Sequence, residues 1–380
     1  MVKLKLKGLK LGNLVAKVPI VQGGMGVGIS LSGLAAATAN AGGVGVIAAA
    51  GIGLLEDDGI RDFLGASLRR LRREIRRARE LTRGVLGVNI MVALSNFSDL
   101  VKASVEEGID IVFAGAGLPV NLPDFVKGSS TMIAPIVSSA RAAALILKRW
   151  RDKYSYAADA VVVEGPKAGG HLGFKRDQLS DGNFALEKIL VEVVEAVRPL
   201  SEEGGRPIPV IAGGGVYTGA DIRRILELGA SGVQMATRFV ATEECDASPA
   251  FKNSYIEARE EDLEIIASPV GMPGRAIRNG FLDDVSAGLR KPFACPFKCI
   301  VTCDYGKAPY CISLALLNAQ KGRLESGFAF AGSNAYRVER IVKVSELVDS
   351  LVAEYEESGP DEASPRLASP SSSSSEASGI

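Results

Sequence analysis

The sequence has 380 residues, with 44 Lys and Arg balanced by 44 Asp and Glu, so its formal net charge is zero. This balance argues against a nucleic-acid partner, and the chain contains no uninterrupted apolar segment of about 18 residues that would predict a transmembrane helix. Residues 1–7 alternate charged and apolar side chains and lack the apolar stretch of a signal peptide. We therefore expect a cytoplasmic protein with no membrane partner.

Short apolar runs alternate with helical patterns over the first 240 residues. Eight runs are typical of buried parallel strands, because they are rich in β-branched residues without polar alternation; they cover residues 18–23, 44–49, 85–92, 109–116, 132–137, 158–165, 208–213 and 232–239. Helical patterns lie between them, for example at 99–107, 140–153, 186–197 and 220–228. Eight such repeats predict an α/β fold, a closed (β/α)8 TIM barrel, and favour it over a doubly wound open sheet.

An arginine-rich segment lies at residues 69–77. The apolar residues in and around it recur at helical spacing and predict one buried stripe, formed by Leu68, Leu71, Ile75, Ala78 and Leu81. The arginines are then the solvated face of an amphipathic helix, and a site for an anionic partner is the less favoured interpretation.

The regular alternation ends after residue 239. Residues 241–331 contain all five cysteines and many prolines, and we interpret them as a small, mostly helical insertion over the mouth of the barrel. A last helix at about 333–355 is expected to close a barrel domain made of residues 1–240 and 332–357. Residues 358–380 are rich in Ser, Pro and Glu, a composition that predicts a disordered tail.

His171 is the only histidine, and it lies in a glycine-rich segment directly after the predicted sixth strand. Because barrel active sites lie at the C-terminal ends of the strands, this position favours a catalytic role. Imidazole titrates near neutrality and suits proton transfer. The alternative is a histidine that is hydrogen-bonded for structural reasons alone.

Turns of glycine and small residues lie in the predicted seventh and eighth strand–helix units. The first is Gly213-Gly214-Gly215, and the second spans residues 234–237. In TIM barrels these two turns commonly bind phosphate, through backbone N–H groups and the positive end of a short helix. The Thr237 hydroxyl can add a donor. The two turns together predict a phosphate site, although tight barrel turns require glycine in any case.

Two further strand ends fit a planar ligand. The turn Gln22-Gly23-Gly24-Met25 follows the first strand, and its glycines allow the backbone to approach a ring closely. Asn89 places one amide in an apolar strand end, and a buried amide needs partners for both its oxygen and its nitrogen. The pyrimidine edge of a flavin offers such partners, and hydrogen bonds to neighbouring backbone are the alternative.

Together these motifs resemble the nitronate monooxygenase family, which includes FMN-dependent enoyl-ACP reductases of the second type. The resemblance runs from about residue 19 to residue 337 and includes the segment 274–279. It implies FMN as the cofactor and His171 as the active-site histidine. The resemblance and the turns together give these candidate cofactor-binding residues: Gly24, Met25, Asn89, Glu164, Gly169, Gly170, Gly214, Gly215, Gln234, Met235, Ala236 and Thr237.

Some positions depart from the family's usual residues. Lys167 stands where the family often has Glu, and a cation there favours an anionic substrate or a reduced flavin. Glu164 replaces a frequent Gln, and Ala236 replaces a usual Gly. The turn at residues 22–25 is nearer to the reductase branch.

The resemblance implies two reactions on a small-molecule substrate. In the first, which we expect, FMN takes an electron from an alkyl nitronate, and dioxygen then gives a carbonyl compound and nitrite. His171 would orient the nitronate or take its proton, and Lys167 would pair with its charge. In the second, NAD(P)H reduces the flavin, which reduces an enoyl thioester, as in enoyl-ACP, or a quinone. A non-catalytic flavin- or phosphate-binding module is less favoured, and a homodimer is left open.

Four cysteines form a cluster in the sequence. Cys295, Cys299, Cys303 and Cys311 are separated by three, three and seven residues, and thiolates are soft ligands for iron–sulfur clusters or zinc. Structural zinc usually has two-residue gaps, so the spacing favours a [4Fe–4S] cluster, with zinc or free redox thiols as alternatives. Such a cluster would pass electrons to or from FMN, or only hold the insertion together. A disulfide is not expected in the cytosol, and Cys245 is expected to be an ordinary buried residue.

Overall fold

The computed structural model describes residues 5–290, 295 and 297–359, so the predicted tail lies almost wholly outside the described residues. The strands are β1 (Leu9–Leu11), β2 (Leu14–Ala16), β3 (Ile20–Gln22), β4 (Val44–Ala48), β5 (Val85–Met91), β6 (Ile111–Gly115), β7 (Met132–Val137), β8 (Val161–Glu164), β9 (Gly170–His171), β10 (Val210–Gly213), β11 (Gly232–Met235), β12 (Leu263–Ala267) and β13 (Pro273–Ile277).

Helices follow most of these strands. The α-helices are α1 (Ser32–Asn40), α2 (Phe63–Leu81), α3 (Phe97–Glu106), α4 (Leu122–Val126), α5 (Ala140–Tyr154), α6 (Leu186–Glu203), α7 (Gly219–Glu227), α8 (Thr237–Val240), α9 (Pro249–Glu257), α10 (Gly280–Ser286), α11 (Ile312–Gln320) and α12 (Val344–Glu357). Short 3-10 helices cover Ile52–Leu55, Arg176–Leu179, Gly182–Phe184, Glu260–Asp262, Leu324–Ser326 and Ala335–Arg337.

Eight parallel strands close into a barrel, in the order β10-β11-β3-β4-β5-β6-β7-β8. This confirms the predicted (β/α)8 TIM barrel, and each predicted apolar run contains one of its strands. The last run was predicted too long, because β11 ends at Met235 and Thr237 begins the helix α8.

The interior of the barrel is packed rather than open, as is usual for this fold. Side chains from the barrel strands, such as Val46, Phe113 and Val162, fill it together with Leu9 and Leu11 of the β1–β2 hairpin. A larger apolar core lies between the strands and the surrounding helices. Side chains therefore fill the interior of the barrel, and the space for a ligand lies at the carboxyl ends of the strands.

The insertion after β11 covers those carboxyl ends and is not helical throughout. It contains the antiparallel hairpin of β12 and β13, and β13 also pairs with β9. The closing helix α12 begins at Val344, so its predicted start near residue 333 is wrong. Residues before it turn back to the barrel instead: the Ser333 N–H donates to the Lys167 carbonyl, and Asn334 Nδ2 donates to the Gly215 carbonyl.

The arginine-rich segment lies in α2, and its arginines are not simply a solvated face. Arg70 pairs with the buried Glu74, and Arg76 forms two hydrogen bonds with Glu107 near the end of α3. The buried stripe is present, but Leu81 at its end is 50% exposed. Carboxylates of the chain itself pair with five of the six arginines of this segment, so these five need no anionic partner. Among the described residues, no helix has both the length and the apolar character needed to cross a membrane.

Gly45 allows α1 to pack directly on β4. A Cβ atom at this position would lie 1.8 Å from the carbonyl oxygen of Ala35 in α1, which is a backbone atom and cannot move aside alone. Gly45→Ala is expected to cost about 1–3 kcal/mol of stability by overpacking, measured as a lower thermal unfolding midpoint. At Gly182, a Cβ would meet nothing within 4 Å, so Gly182→Ala is the matched control. Equal midpoints for the two variants would contradict this packing.

Candidate functional site

A cavity of about 260 Å³ lies at the carboxyl ends of the barrel strands, beneath the insertion. Every predicted catalytic or cofactor-binding residue lines it, namely Gly24, Met25, Asn89, Glu164, Lys167, Gly169, Gly170, His171, Gly214, Gly215, Gln234, Met235, Ala236 and Thr237. Their meeting follows from the barrel, because parallel strands bring their C-terminal turns to one face. We call this space the barrel cavity.

The predicted metal ligands lie elsewhere. Cys295, Cys299, Cys303 and Cys311 line a second cavity, of about 310 Å³, in the insertion. We call it the cysteine cavity. Cys245 is buried and lines neither cavity, and its Sγ lies 3.5 Å from the Ile29 carbonyl oxygen.

Gly24 and Asn89 are packed against each other at one side of the barrel cavity. A Cβ at Gly24 would lie 2.3 Å from the Asn89 Cβ, so a larger residue would displace the Asn89 side chain. The Asn89 carbonyl accepts a hydrogen bond from Ala49 N at 3.0 Å, but its side-chain amide has no hydrogen-bond partner among the described residues. The neighbouring backbone therefore leaves this amide available to a ligand.

Other polar side chains of the barrel cavity also lack a hydrogen-bond partner among the described residues. Within the described part of the chain, the Glu164 carboxyl, the Gln234 amide, and the Thr237 and Ser333 hydroxyls have no protein partner. Burying polar groups without hydrogen bonds is costly, and folded proteins rarely do it. So many unpartnered groups around one cavity indicate a site for a polar ligand.

Glu164 ends β8, beside Gly213 of β10. Burial raises the pKa of its carboxyl to about 7, and no nearby cation offsets this effect. Near neutral pH a large fraction of the carboxyl is therefore protonated. In that form it can donate a hydrogen bond as well as accept one.

His171 is held by the insertion. It lies in β9, opposite Gly274 of β13, and its Nε2 lies 2.7 Å from the Ser268 hydroxyl. The imidazole packs edge-on against Phe330, with 4.9 Å between ring centroids. Burial lowers the His171 pKa to about 4, so the ring is neutral at pH 7. Ser268 fixes the ring, and Nδ1 has no partner among the described residues.

Arg275 fixes the loop that carries Lys167. Its guanidinium donates to the carbonyls of Pro166 and Ala168, both at 2.7 Å, and burial lowers its pKa. Lys167 itself is exposed at the rim, and its aliphatic stem lies against Gly215. No carboxylate among the described residues pairs with either cation. The loop therefore gives this side of the cavity an uncompensated positive charge, which favours an anion.

The glycine turn after β10 takes a backbone that requires glycine. Gly214 and Gly215 have φ angles of +98° and +101°, in the left-handed region that other residues avoid. The positive end of the following helix α7 is not available to a phosphate, because the Gly219 N–H already donates to Glu354 at 2.8 Å. An anion at this turn would depend on the loop backbone, on Thr237 and on Lys167.

Sequence reasoning missed the part of the site that the insertion supplies. Ser268, Arg275, Phe330 and the segment 331–334 all contact the barrel loops, yet no role was assigned to them. One signal was present: Gly332, Ser333 and Asn334 are residues typical of turns, and they argue against a helix at this point.

Comparisons with known proteins identify relatives of this chain. The family model for nitronate monooxygenase matches residues 9–354. A nitronate monooxygenase of Pseudomonas aeruginosa is 28% identical over 370 residues, which cover 88% of this chain and 95% of that protein. The structure of FabK from Thermotoga maritima matches with a TM-score of 0.69 and 28% identity, over 89% of this chain and 93% of that one.

A further relative has a different reaction in its name. The (3aS,4S,5R,7aS)-5-hydroxy-7a-methyl-1-oxo-octahydro-1H-indene-4-carboxyl-CoA dehydrogenase of Mycobacterium tuberculosis is 30% identical over 272 residues. The match covers 72% of this chain and 66% of the dehydrogenase, so this chain spans just under two thirds of that relative's length.

Glu164→Gln is expected to stabilise the flavin-free protein at pH 8 but not at pH 5. Because the folded pKa is raised from 4.5 to about 7, the folded state binds this proton more tightly than the unfolded state. The carboxyl therefore lowers the free energy of unfolding as the pH rises from about 4.5 through 7, by about 3 kcal/mol in total. Urea unfolding at both pH values measures the difference.

The matched control is Glu325→Gln, at an exposed position outside the cavity. Relative to this control, Glu164→Gln should be stabilised more at pH 8 than at pH 5. If Glu164→Gln behaved like this control, Glu164 would not be a buried carboxyl with a raised pKa.

Proposed function

The chain belongs to the nitronate monooxygenase family, and from this premise we propose that it is an FMN-dependent oxidoreductase that oxidises alkyl nitronates with dioxygen, giving a carbonyl compound and nitrite. The observation that carries the proposal is the barrel cavity, which combines unpartnered polar side chains, a neutral histidine and an unpaired lysine. A polar cofactor and a small anion account for all three.

The residues of the cavity fit FMN. Bound FMN would accept electrons from the nitronate and return them to dioxygen. The free amides of Asn89 and Gln234 can each donate and accept hydrogen bonds, as the pyrimidine edge of a flavin requires. Thr237 and the backbone of Gly214 and Gly215 would hold the phosphate. Gly24 keeps the space beside Asn89 open.

His171 and Lys167 would act on the substrate. The neutral imidazole, fixed through Nε2 by Ser268, presents Nδ1, which can accept a proton from a nitroalkane or donate one to a nitronate oxygen, depending on the tautomer. The Lys167 ammonium would attract the anion to the rim of the cavity. An anion next to His171 would also raise the pKa of the imidazole and make it a stronger base.

The second candidate is a reductase, in which NAD(P)H reduces the flavin and the flavin reduces an enoyl thioester or a quinone. Two observations favour it. The turn Gln22-Gly23-Gly24-Met25 is nearer to the reductase branch, and a coenzyme A thioester occurs in the name of the Mycobacterium tuberculosis relative. In that reaction His171 would donate a proton to the substrate or hold its carbonyl group.

An anaerobic absorbance titration separates the two reactions. NAD(P)H is added first to the flavin-loaded protein, and a small alkyl nitronate is added second. We expect the flavin band to persist with NAD(P)H and to bleach with the nitronate. Bleaching by NAD(P)H and indifference to the nitronate would establish the reductase instead.

The same titration tests the charge at the rim. Lys167→Met should need about tenfold more nitronate for half-bleaching, which corresponds to about 1.4 kcal/mol of lost attraction. Lys175→Met is the control, because Lys175 is exposed and does not line the barrel cavity. If Lys167→Met instead loses FMN and keeps its response to the nitronate, Lys167 contacts the cofactor phosphate and not the substrate.

Asn89→Leu is expected to weaken FMN binding about tenfold, because about 1 kcal/mol is lost with each hydrogen bond. The unfolding midpoint of the flavin-free protein should change little, since the amide bonds to none of the described residues. Fluorescence titration with FMN measures the affinity, and thermal unfolding measures the stability.

Asn279→Leu is the matched control. Asn279 Nδ2 donates to the carbonyls of Leu324 and Gly327, at 3.0 and 2.8 Å, outside the barrel cavity. This variant should lose stability and keep its FMN affinity. The opposite pattern in Asn89→Leu, lost stability with unchanged affinity, would show that Asn89 is structural.

A further inference from the structure

The cysteine cavity is lined by four thiols. All four cysteines are free and line the same space, of about 310 Å³. Yet the described residues contain no group of three or more His, Cys, Asp or Glu placed to hold one metal ion. Zinc would need all its sulfurs at about 2.3 Å from one point. Four cysteine thiols on one cavity are also the ligand set of an iron–sulfur cluster.

A buried tyrosine at the same cavity lacks a partner. Tyr310 is 6% exposed and lines the cysteine cavity, and its hydroxyl has no hydrogen bond in the described structure. An unbonded buried hydroxyl is costly, so this group indicates a ligand that accepts a hydrogen bond. The inorganic sulfides and thiolates of an iron–sulfur cluster are such acceptors, and hydrogen bonds to them set its potential.

Two polar groups already contact the thiols. The Ser313 hydroxyl lies 3.3 Å from Cys299 Sγ, and the Lys298 N–H donates to Cys295 Sγ at 3.4 Å. Apolar side chains of Ile300 and Ile312 complete the wall. Four thiols, hydrogen bonds to sulfur and an apolar surrounding are the features of a protein-bound cluster.

We propose that Cys295, Cys299, Cys303 and Cys311 bind a [4Fe–4S] cluster, and that this cluster exchanges single electrons with the flavin of the barrel cavity. Four cysteine thiolates are the usual ligands of such a cluster. The exchange of electrons rests on the proposed function, whereas the binding of the cluster does not.

The two cavities share a wall. Ile300 and Ile312 line both of them, and Ser313, which contacts Cys299, lines the barrel cavity. The cysteine segment is also fixed to the loop after β5, because the Ser95 N–H donates to the Cys299 carbonyl at 3.1 Å. One layer of side chains therefore lies between the two cavities.

Aromatic rings connect the two cavities by a second route. Tyr310 packs against Phe328 with 5.8 Å between centroids, Phe328 against Phe330 with 5.1 Å, and Phe330 against His171 with 4.9 Å. Tyr310 lines the cysteine cavity, and Phe330 and His171 line the barrel cavity. A continuous chain of packed rings thus joins the cysteine cavity to His171.

The electrons balance with a one-electron donor from outside, such as a reduced viologen dye or a reduced iron–sulfur protein. A cluster held by the four cysteines would take up one electron at a time, going from the 2+ to the 1+ state, and would return to its first state on passing each electron on. Two such electrons, with two protons from solvent, would reduce FMN to FMNH2. The same path run backwards takes electrons from a reduced flavin to a one-electron acceptor.

The binding of the cluster is tested by the composition of the anaerobically purified full chain. We expect about four iron and four sulfide per chain, and a paramagnetic resonance signal after reduction with dithionite. Cys303→Ser and Cys311→Ser should lose most of the iron, and Cys245→Ala, outside the cavity, should keep it. Zinc without iron in the wild-type protein, or full iron in both serine variants, would overturn the proposal.

The exchange of electrons has its own test. Reduced methyl viologen should reduce the flavin at least tenfold more slowly in Cys303→Ser than in Cys245→Ala at equal flavin content. Equal rates would overturn the exchange and leave the cluster as a structural element. A protein that contains iron and sulfide but binds no flavin would contradict the proposed function and not the cluster.

Discussion

The site depends on a short pairing between the insertion and the barrel. Strand β13 pairs with β9 through Gly274 opposite His171 and Arg275 opposite Gly170. The Arg275 side chain then binds two carbonyls of the loop after β8, which would otherwise be buried without a donor. A bare barrel would leave that loop free to move. The insertion therefore fixes the histidine and closes the cavity with one set of contacts.

Burial at this junction decides the charge of the cavity. The pKa of His171 falls to about 4 and that of Glu164 rises to about 7, so between these pH values both groups are mainly neutral. Lys167 and Arg275 remain charged, and no carboxylate among the described residues pairs with either. The cavity therefore attracts anions. An FMN phosphate and a nitronate both carry the negative charge that would balance these two cations.

Local sequence patterns were sufficient to predict the barrel strands but not the strands of the insertion. An apolar run such as β7 predicts a strand, and a glycine such as Gly214 predicts a tight turn, because both structures depend on residues that are near in sequence. Strand β12 has no buried residue, and β13 includes Pro273 and Gly274, so the sequence of this hairpin gives little strand signal. Ser268 lies 97 residues from its partner His171, and no local pattern reports such a contact.

The two cavities bear on the choice between the reactions. Dioxygen is an electron acceptor that would diffuse to the flavin. A cluster in the cysteine cavity would instead be an electron acceptor or donor at a fixed position. Electron flow through Ile300 and Ile312 would compete with dioxygen for the reduced flavin. The balance would depend on the potential of the cluster, which hydrogen bonds such as that from Ser313 adjust. The cysteines would thus decide whether the barrel works as an oxidase-like or a reductase-like enzyme.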